Sequence, residues 1–209
     1  MRTTIALVGP IASGKGHISE LLKSRGFAHF TYGDEVRKEI SLRGLPLERR
    51  VYQDVSDILR IEQGTPILAQ RIASEIQRER QQGRANKAII DGLRHPDEVE
   101  WLKTHFNTKV LGVTAPPELR FQRLLDRARP SDPGTREGFD VVEQRDRGVG
   151  QPDFGNHVDA SLRLADIVIE NTETPDILEG KLNLALVSLG IEGYPDFPEG
   201  NCPNPMFRR

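Results

Sequence analysis

Ile5-Ala-Leu-Val-Gly9-Pro-Ile-Ala-Ser-Gly14-Lys15-Gly16 decides how this chain is read. Ile5 to Val8 is a short apolar run of the kind that forms a buried strand. Gly9, four variable residues, then Gly14 and Lys15 give the G-x-x-x-x-G-K spacing of a phosphate-binding loop, with Gly16 where Ser or Thr is usual. The spacing has a chemical reason. Glycines accept positive φ and let the backbone approach an anion closely. Successive N–H groups then line one concavity at the positive end of the following helix. Lys15 adds a mobile charge for terminal phosphates. Gly9, Ala12, Ser13, Gly14, Lys15 and Gly16, with His17 directly behind them, are the candidates for holding a nucleoside triphosphate.

Working outward, the 209 residues suffice for one domain with room for a small inserted subdomain. A hydrophobic share of 36% beside 29% charged residues describes a soluble globular chain. The formal net charge of −2 leaves no overall basic footprint, so nucleic acid is not an expected partner. The single cysteine, Cys202, excludes an internal disulfide framework and suits a reducing cytosol. No apolar run is long enough to span a bilayer, and Met-Arg-Thr-Thr runs straight into a strand with no signal peptide. The expectation is a cytoplasmic protein that does not engage a membrane.

After the loop, a helix over 14–23 buries Ile18, Leu21 and Leu22 and ends near Gly26. Residues 27–31 read as a second strand, and Glu35 to Ile40 as a helix with acids in its first turn. Arg43-Gly-Leu-Pro46 breaks it. Helices over 47–62 and 66–81 follow, split at Gly64, the second with an apolar stripe at Leu68, Ile72 and Ile76. Residues 87–91 and 109–114 read as strands, separated by a helix over 96–104 and followed by another over 117–127. From 128 to 158 the pattern weakens and Gly, Pro, Asp and Arg crowd together, with one short helix over 136–145. A polar stretch of that length in a compact domain reads as a lid. Residues 165–171 give a fifth strand and 174–189 the closing helix, and an extended Pro/Gly-rich tail occupies 190–209. Strands alternating with helices predict an α/β fold of three layers, a five-stranded parallel sheet with helices on both faces. Ligands in such sheets sit beyond the carboxyl ends of the strands.

Three strand ends carry the charges that phosphoryl transfer requires: Lys15 after the first, Asp34 and Arg37 after the second, Asp91 and Arg94 after the third. Asp34 and Asp91 are hard oxygen donors suited to Mg2+, through its waters. Arg37 and Arg94 are forks suited to an acceptor phosphate. The bland alternatives are a helix cap for Asp34 and a solvated pair with Asp34 or Glu35 for Arg37. Among the arginines at the lid, Arg127 and Arg129 stand at the helix–lid junction, placed to swing onto phosphates, whereas Arg120 reads as a charged surface residue. The histidines show no metal-ligand spacing.

Gly9-Pro-Ile-Ala-Ser-Gly-Lys-Gly16, Tyr32-Gly-Asp-Glu-Val-Arg37 and Asp91-Gly-Leu-Arg94, in this order, resemble the nucleoside monophosphate kinases of adenylate-kinase type. Ala165-Asp-Ile-Val-Ile-Glu-Asn171 also resembles the last strand of that family and of dephospho-coenzyme A kinases. The likeness spans about residues 3–189 and is nearest to a branch containing deoxynucleoside monophosphate kinases and archaeal kinase-like proteins. It implies that Gly14, Lys15 and Gly16 bind donor phosphates and that Gly16 is normal in its place. It implies acceptor phosphate on Arg37 and Arg94, magnesium organised by Asp34 and Asp91, lid arginines Arg127 and Arg129 on the moving group, and Asn171 beside the donor base. Three departures stand out: His17 replaces a Thr, the segment before Arg94 is one residue short, and the glutamine that reads adenine has no counterpart. The acceptor base is therefore not inherited.

These readings lead to ATP- and magnesium-dependent phosphoryl transfer to a nucleoside or deoxynucleoside monophosphate, a small-molecule acceptor held by an insertion over 34–81 under a lid over 128–158. A dephospho-coenzyme A kinase or another small-molecule P-loop kinase is the enzymatic alternative. An ATP-binding regulatory protein without catalysis is the alternative of another class, and the arginine-rich lid argues against it, since a pure binder needs no transition-state clamp.

Overall fold

β1 (Thr3–Val8) is buried along five of its six residues and forms the middle of the sheet. The computed structural model describes residues 2–129 and 132–191; the expected tail, Cys202 included, lies beyond 191 and outside the described residues. After β1 come α1 (Lys15–Ser24), β2 (Ala28–Thr31), α2 (Tyr32–Leu42), α3 (Arg49–Gln63), α4 (Ile67–Gln81), β3 (Lys87–Leu93), α5 (Pro96–Phe106), β4 (Lys109–Thr114), α6 (Pro117–Arg127), α7 (Arg136–Arg147), α8 (Val158–Arg163), β5 (Ile167–Glu170) and α9 (Pro175–Ser188). The described strands form one parallel sheet in the order β2-β3-β1-β4-β5. The architecture expected from the alternating pattern is the one found.

Period-two alternation divides the sheet's side chains between two cores. Ile5, Leu7, Ile89, Leu111 and Val113 pack with Ile18 and Leu22 of α1 and with Leu178, Leu182 and Leu186 of α9. Ala6, Val8, Ala88, Ile90 and Val110 face the other way, onto Val36, Ile40, Leu59, Leu68, Ile72, Ile76 and Val99 of α2 to α5. Each Val, Leu or Ile among them contributes about 2 kcal/mol of burial, and the strands are apolar on both faces because both are covered.

The structure corrects the sequence reading at three places. β3 continues to Leu93 rather than ending at Asp91: the ladder with β1 shifts after Leu7–Asp91 and resumes at Val8–Leu93, a bulge at Gly92. Gly92 has φ +97, and a Cβ there would lie 3.3 Å from the Tyr32 Cβ, so the extra residue fits as glycine. The short helix α8, which begins where the expected lid ends, gave no usable period over its six residues. α2 starts at Tyr32, capped by Thr31, whose Oγ1 accepts the Asp34 N–H at 3.0 Å; Asp34 is a first-turn residue, not the cap.

Candidate active site

The loop between β1 and α1 is held from its carbonyl side. The Lys15 ammonium donates to the Gly9 carbonyl at 2.7 Å and the Pro10 carbonyl at 2.9 Å. Arg120 donates to the Ile11 carbonyl at 3.2 Å. Asn171 Nδ2 donates to the Ser13 carbonyl at 2.9 Å, and Arg123 reaches the Asn171 carbonyl at 3.0 Å. In a planar trans peptide the C=O and the next N–H point in opposite directions. The Ile11 and Ser13 carbonyls, drawn outward by Arg120 and Asn171, therefore aim the N–H groups of Ala12 and Gly14 inward.

Gly9 is pressed against β4, where a Cβ would fall 2.1 Å from the Val113 carbonyl oxygen. Gly14 lies in the left-handed region at φ +111, with room for a Cβ closed by Asn171 Nδ2 at 2.1 Å. Ala12 sits at φ +58, a conformation that costs a non-glycine residue about 1 kcal/mol.

A phosphate chain fits this loop on two observations. α1 begins with no side chain capping its first turn, and the Ser13 hydroxyl is enclosed with no hydrogen-bond partner in the protein. Burial holds the Lys15 pKa down at about 8, opposed mainly by the charge of Asp91.

Opposite the loop lies a cleft of about 490 Å³. Ile11 of the loop lines it, as do Arg60, Arg94, Arg127 and Arg145, with Asp57, Asp132 and Asp146 between them. α2 and α3 contribute Val36, Tyr52, Gln53 and Ser56 to one wall, and α7 forms the facing wall. Every guanidinium in it has a carboxylate partner. Arg94 meets Asp146 at 2.7 Å, with side-chain exposures of 43% and 5%, so the arginine is open to a ligand and the acid is not. The Asp146 charge pushes the Arg94 pKa up. Arg127 forks onto Asp132, with one arm at 2.8 Å, and Arg145 bonds to Gln53 and lies 3.6 Å from Asp57. Arg60, almost wholly buried, donates to Glu98 at 2.8 Å; the other Glu98 oxygen takes the Arg94 and His95 N–H groups, each at 3.1 Å. Burial pushes the Asp57 carboxyl up from its usual range and the Tyr32 hydroxyl, which is unpartnered, well above its own.

Of the residues singled out from sequence, Lys15, Arg94 and Arg127 face this loop and cleft. Asp91 stands within the electrostatic reach of Lys15 and Arg94. Its Oδ1 accepts the Gly92 N–H at 2.7 Å and its Oδ2 is 4.0 Å from His29 Nε2. It fits magnesium as a hard oxygen donor. Among the described residues no cluster of three or more His, Cys, Asp or Glu is arranged to hold a metal unaided, so such an ion would depend on the nucleotide's own phosphates.

Asp34 does not join Asp91 there. Its carboxylate takes the Thr31 hydroxyl at 2.8 Å and the Arg37 guanidinium, and both residues line a separate, open hollow beside edge strand β2. Arg37 touches the cleft only through Tyr52, whose hydroxyl accepts from its Nε at 2.9 Å. Arg129 is exposed and outside the cleft lining, one residue past Ala128, the left-handed cap that ends α6. His17 is exposed on the first turn of α1. Asn171 braces the loop itself. Arg120, expected at the surface, is 2% exposed.

Residues 5–144 match the family model described as AAA domain. A UPF0200 protein of Methanopyrus kandleri is 30% identical over 195 residues, covering 92% of each chain. Another, from Thermococcus gammatolerans, is 35% identical over 192 residues, 90% of this chain and 96% of that one. The chain belongs to the UPF0200 family, with an AAA-type P-loop domain. Among solved structures, this UPF0200 fold resembles shikimate kinase from Acinetobacter baumannii in complex with shikimate (TM-score 0.52, 18% identity, 90% of this chain and 95% of that one). It also resembles dephospho-CoA kinase from Campylobacter jejuni (TM-score 0.50, 17% identity, 92% and 100%). These likenesses establish a P-loop kinase-like fold.

The sequence reading of this UPF0200 chain passed over Arg60, Asp57, Gln53, Asp146 and the pair Arg120–Glu143. Arg60, Asp57 and Gln53 lie on a helix with three- and four-residue spacings that look like an ordinary charged face. Only Arg145-Asp146, adjacent in the polar lid stretch, offered a signal, and without a partner it could not be weighed.

Proposed function

We propose that this P-loop kinase-like protein transfers the γ-phosphoryl group of ATP to a nucleoside or deoxynucleoside monophosphate, with magnesium. One observation carries the reading: the wall of the arginine-lined cleft includes Ile11 of the phosphate loop, so an acceptor seated on Arg94 and Arg127 lies against the donor site. Bound magnesium supplies charge neutralisation on the donor phosphates. The inward N–H groups of the loop and the Lys15 ammonium hold those phosphates, and Arg94 and Arg127 hold the acceptor. An acceptor phosphate oxygen forms the new bond to the γ-phosphorus, the bond to the β,γ-bridging oxygen breaks, and ADP leaves with that electron pair. A phosphate dianion needs no base.

The second reading is an alcohol acceptor, as in a dephospho-coenzyme A kinase. Asp57 favours it: a carboxylate that lines the cleft and keeps 24% of its side chain exposed is placed to take a hydroxyl proton. The test is ADP release from ATP and magnesium in the presence of ribo- and deoxynucleoside monophosphates and of dephospho-coenzyme A, each alone. A responding monophosphate supports the first reading, response to dephospho-coenzyme A alone supports the second, and ATP binding with no acceptor-dependent turnover defeats both.

A further inference from the structure

One residue outside the cleft ties the donor site to the acceptor site. Arg120 is enclosed on α6, and its three nitrogens reach three different structures. Nε donates to the Ala115 carbonyl at the end of β4, 2.9 Å away. Nη1 donates to the Ile11 carbonyl of the phosphate loop at 3.2 Å and to Glu143 Oε2 at 2.6 Å. Nη2 completes the fork onto Glu143 Oε1. The ring of Phe139, one turn before Glu143 on α7, covers the guanidinium at 5.4 Å.

A buried guanidinium is tolerated only when its charge and donors are matched, and here a buried carboxylate and two carbonyls match them. Lysine, a point charge, could not serve this set in a fixed geometry. Glu143 belongs to the helix that also presents Arg145 and Asp146 to the cleft. Thus one end of the α7 contact fixes an acceptor arginine through Asp146, and the other fixes a loop carbonyl through Arg120. The Gly9 and Pro10 carbonyls are held from within the loop, by Lys15. The Ile11 carbonyl is held by a side chain that α7 in turn orients.

From this we infer that Arg120 is a positioning residue for the donor phosphates, and that Glu143 makes the seating of α7 a condition of the loop's shape. The inference rests on the loop being a triphosphate site. Holding the Ile11 carbonyl outward aims the Ala12 N–H into the concavity. Losing that hold lets the peptide turn over and present an oxygen to an anion.

The experiment measures the dissociation constant of magnesium-ATP, beside the thermal unfolding midpoint, for the wild type and for Arg120→Met, Arg120→Lys and Glu143→Gln. Arg120→Met is expected to weaken ATP binding at least tenfold and Glu143→Gln three- to tenfold. Arg120→Lys should fall between wild type and Arg120→Met, because one donor can still reach Ile11. A merely structural role moves the midpoint and leaves ATP affinity at the wild-type level in the folded variants, which overturns the inference. If Arg120→Met does not fold, Glu143→Gln decides, since it keeps the shape and one hydrogen bond. A wild type that binds no ATP overturns the triphosphate reading and this inference with it; tight wild-type binding matched by every variant overturns this inference alone.

Discussion

The phosphate loop and the arginine-lined cleft face one another and are held in opposite ways. The loop is backbone whose Ile11 and Ser13 carbonyls are drawn outward by Arg120 and Asn171, so the donors that follow them stand aimed before any ligand arrives. The cleft is side chain, and its guanidinium groups rest on Asp146, Asp132 and Glu98. An incoming phosphate meets ready donors at the loop, whereas in the cleft it competes with carboxylates for Arg94 and Arg127. The first arrangement gives preorganisation and tight binding of one anion. The second gives exchange of partners, which suits an acceptor that must enter and leave in each cycle.

The contrast is most directly broken by Lys15→Ala. Loss of the Lys15 ammonium at the loop should lower acceptor-dependent ADP release by about a thousandfold, with the circular dichroism spectrum unchanged. Turnover near wild type would remove Lys15 from the mechanism. Next in size is Gly9→Ala, where the new Cβ would sit 2.1 Å from the Val113 carbonyl oxygen. It should cost about 3 kcal/mol in urea unfolding, and a loss under 1 kcal/mol would mean that the loop is less tightly pressed on β4 than the geometry requires.

Arg94→Ala separates the two walls. It should reduce kcat/KM for the acceptor about a hundredfold and leave the ATP dissociation constant within about twofold. An equal loss on both substrates would show that the walls do not act separately.

The smallest effect is in pH. The Lys15 pKa is lowered from 10.5 to about 8, so the folded state disfavours the protonated form. That penalty is present below about pH 8 and fades as the pH climbs toward 10.5. Relative to Lys15→Met, the wild type should therefore gain stability between pH 8 and 10. Its ATP affinity should fall over the same range, since the ammonium is being lost. Affinity that is flat from pH 7 to 10 would show that Lys15 keeps its proton throughout.

Local pattern carried the parallel sheet because each strand and helix announced itself within a window of its own residues. Ile5 to Val8, the 66–81 stripe and the prolines at the helix starts are signals of that kind. The loop was legible for the same reason: its chemistry is backbone chemistry, and its glycines mark where backbone must bend. Asp34 and Arg37 show the limit. Three residues apart on one helix, they looked like two site residues and are a surface pair bonded to each other. Arg120 errs in the other direction, a charged helix position whose burial depends on Glu143, twenty-three positions later.

By itself, then, the sequence determined the order of the strands, the P-loop motif and the candidate cation Lys15, all of which follow from neighbours in the chain. Only the tertiary structure decided which arginines meet: Arg60 and Arg145 joined Arg94 and Arg127 in the cleft, and Arg129 stayed outside its lining. The physical reason is range. Hydrogen-bonding geometry and side-chain periodicity act over a few residues, while the pairing of a buried charge is settled by whichever carboxylate the fold brings within about 3 Å, however far along the chain it lies.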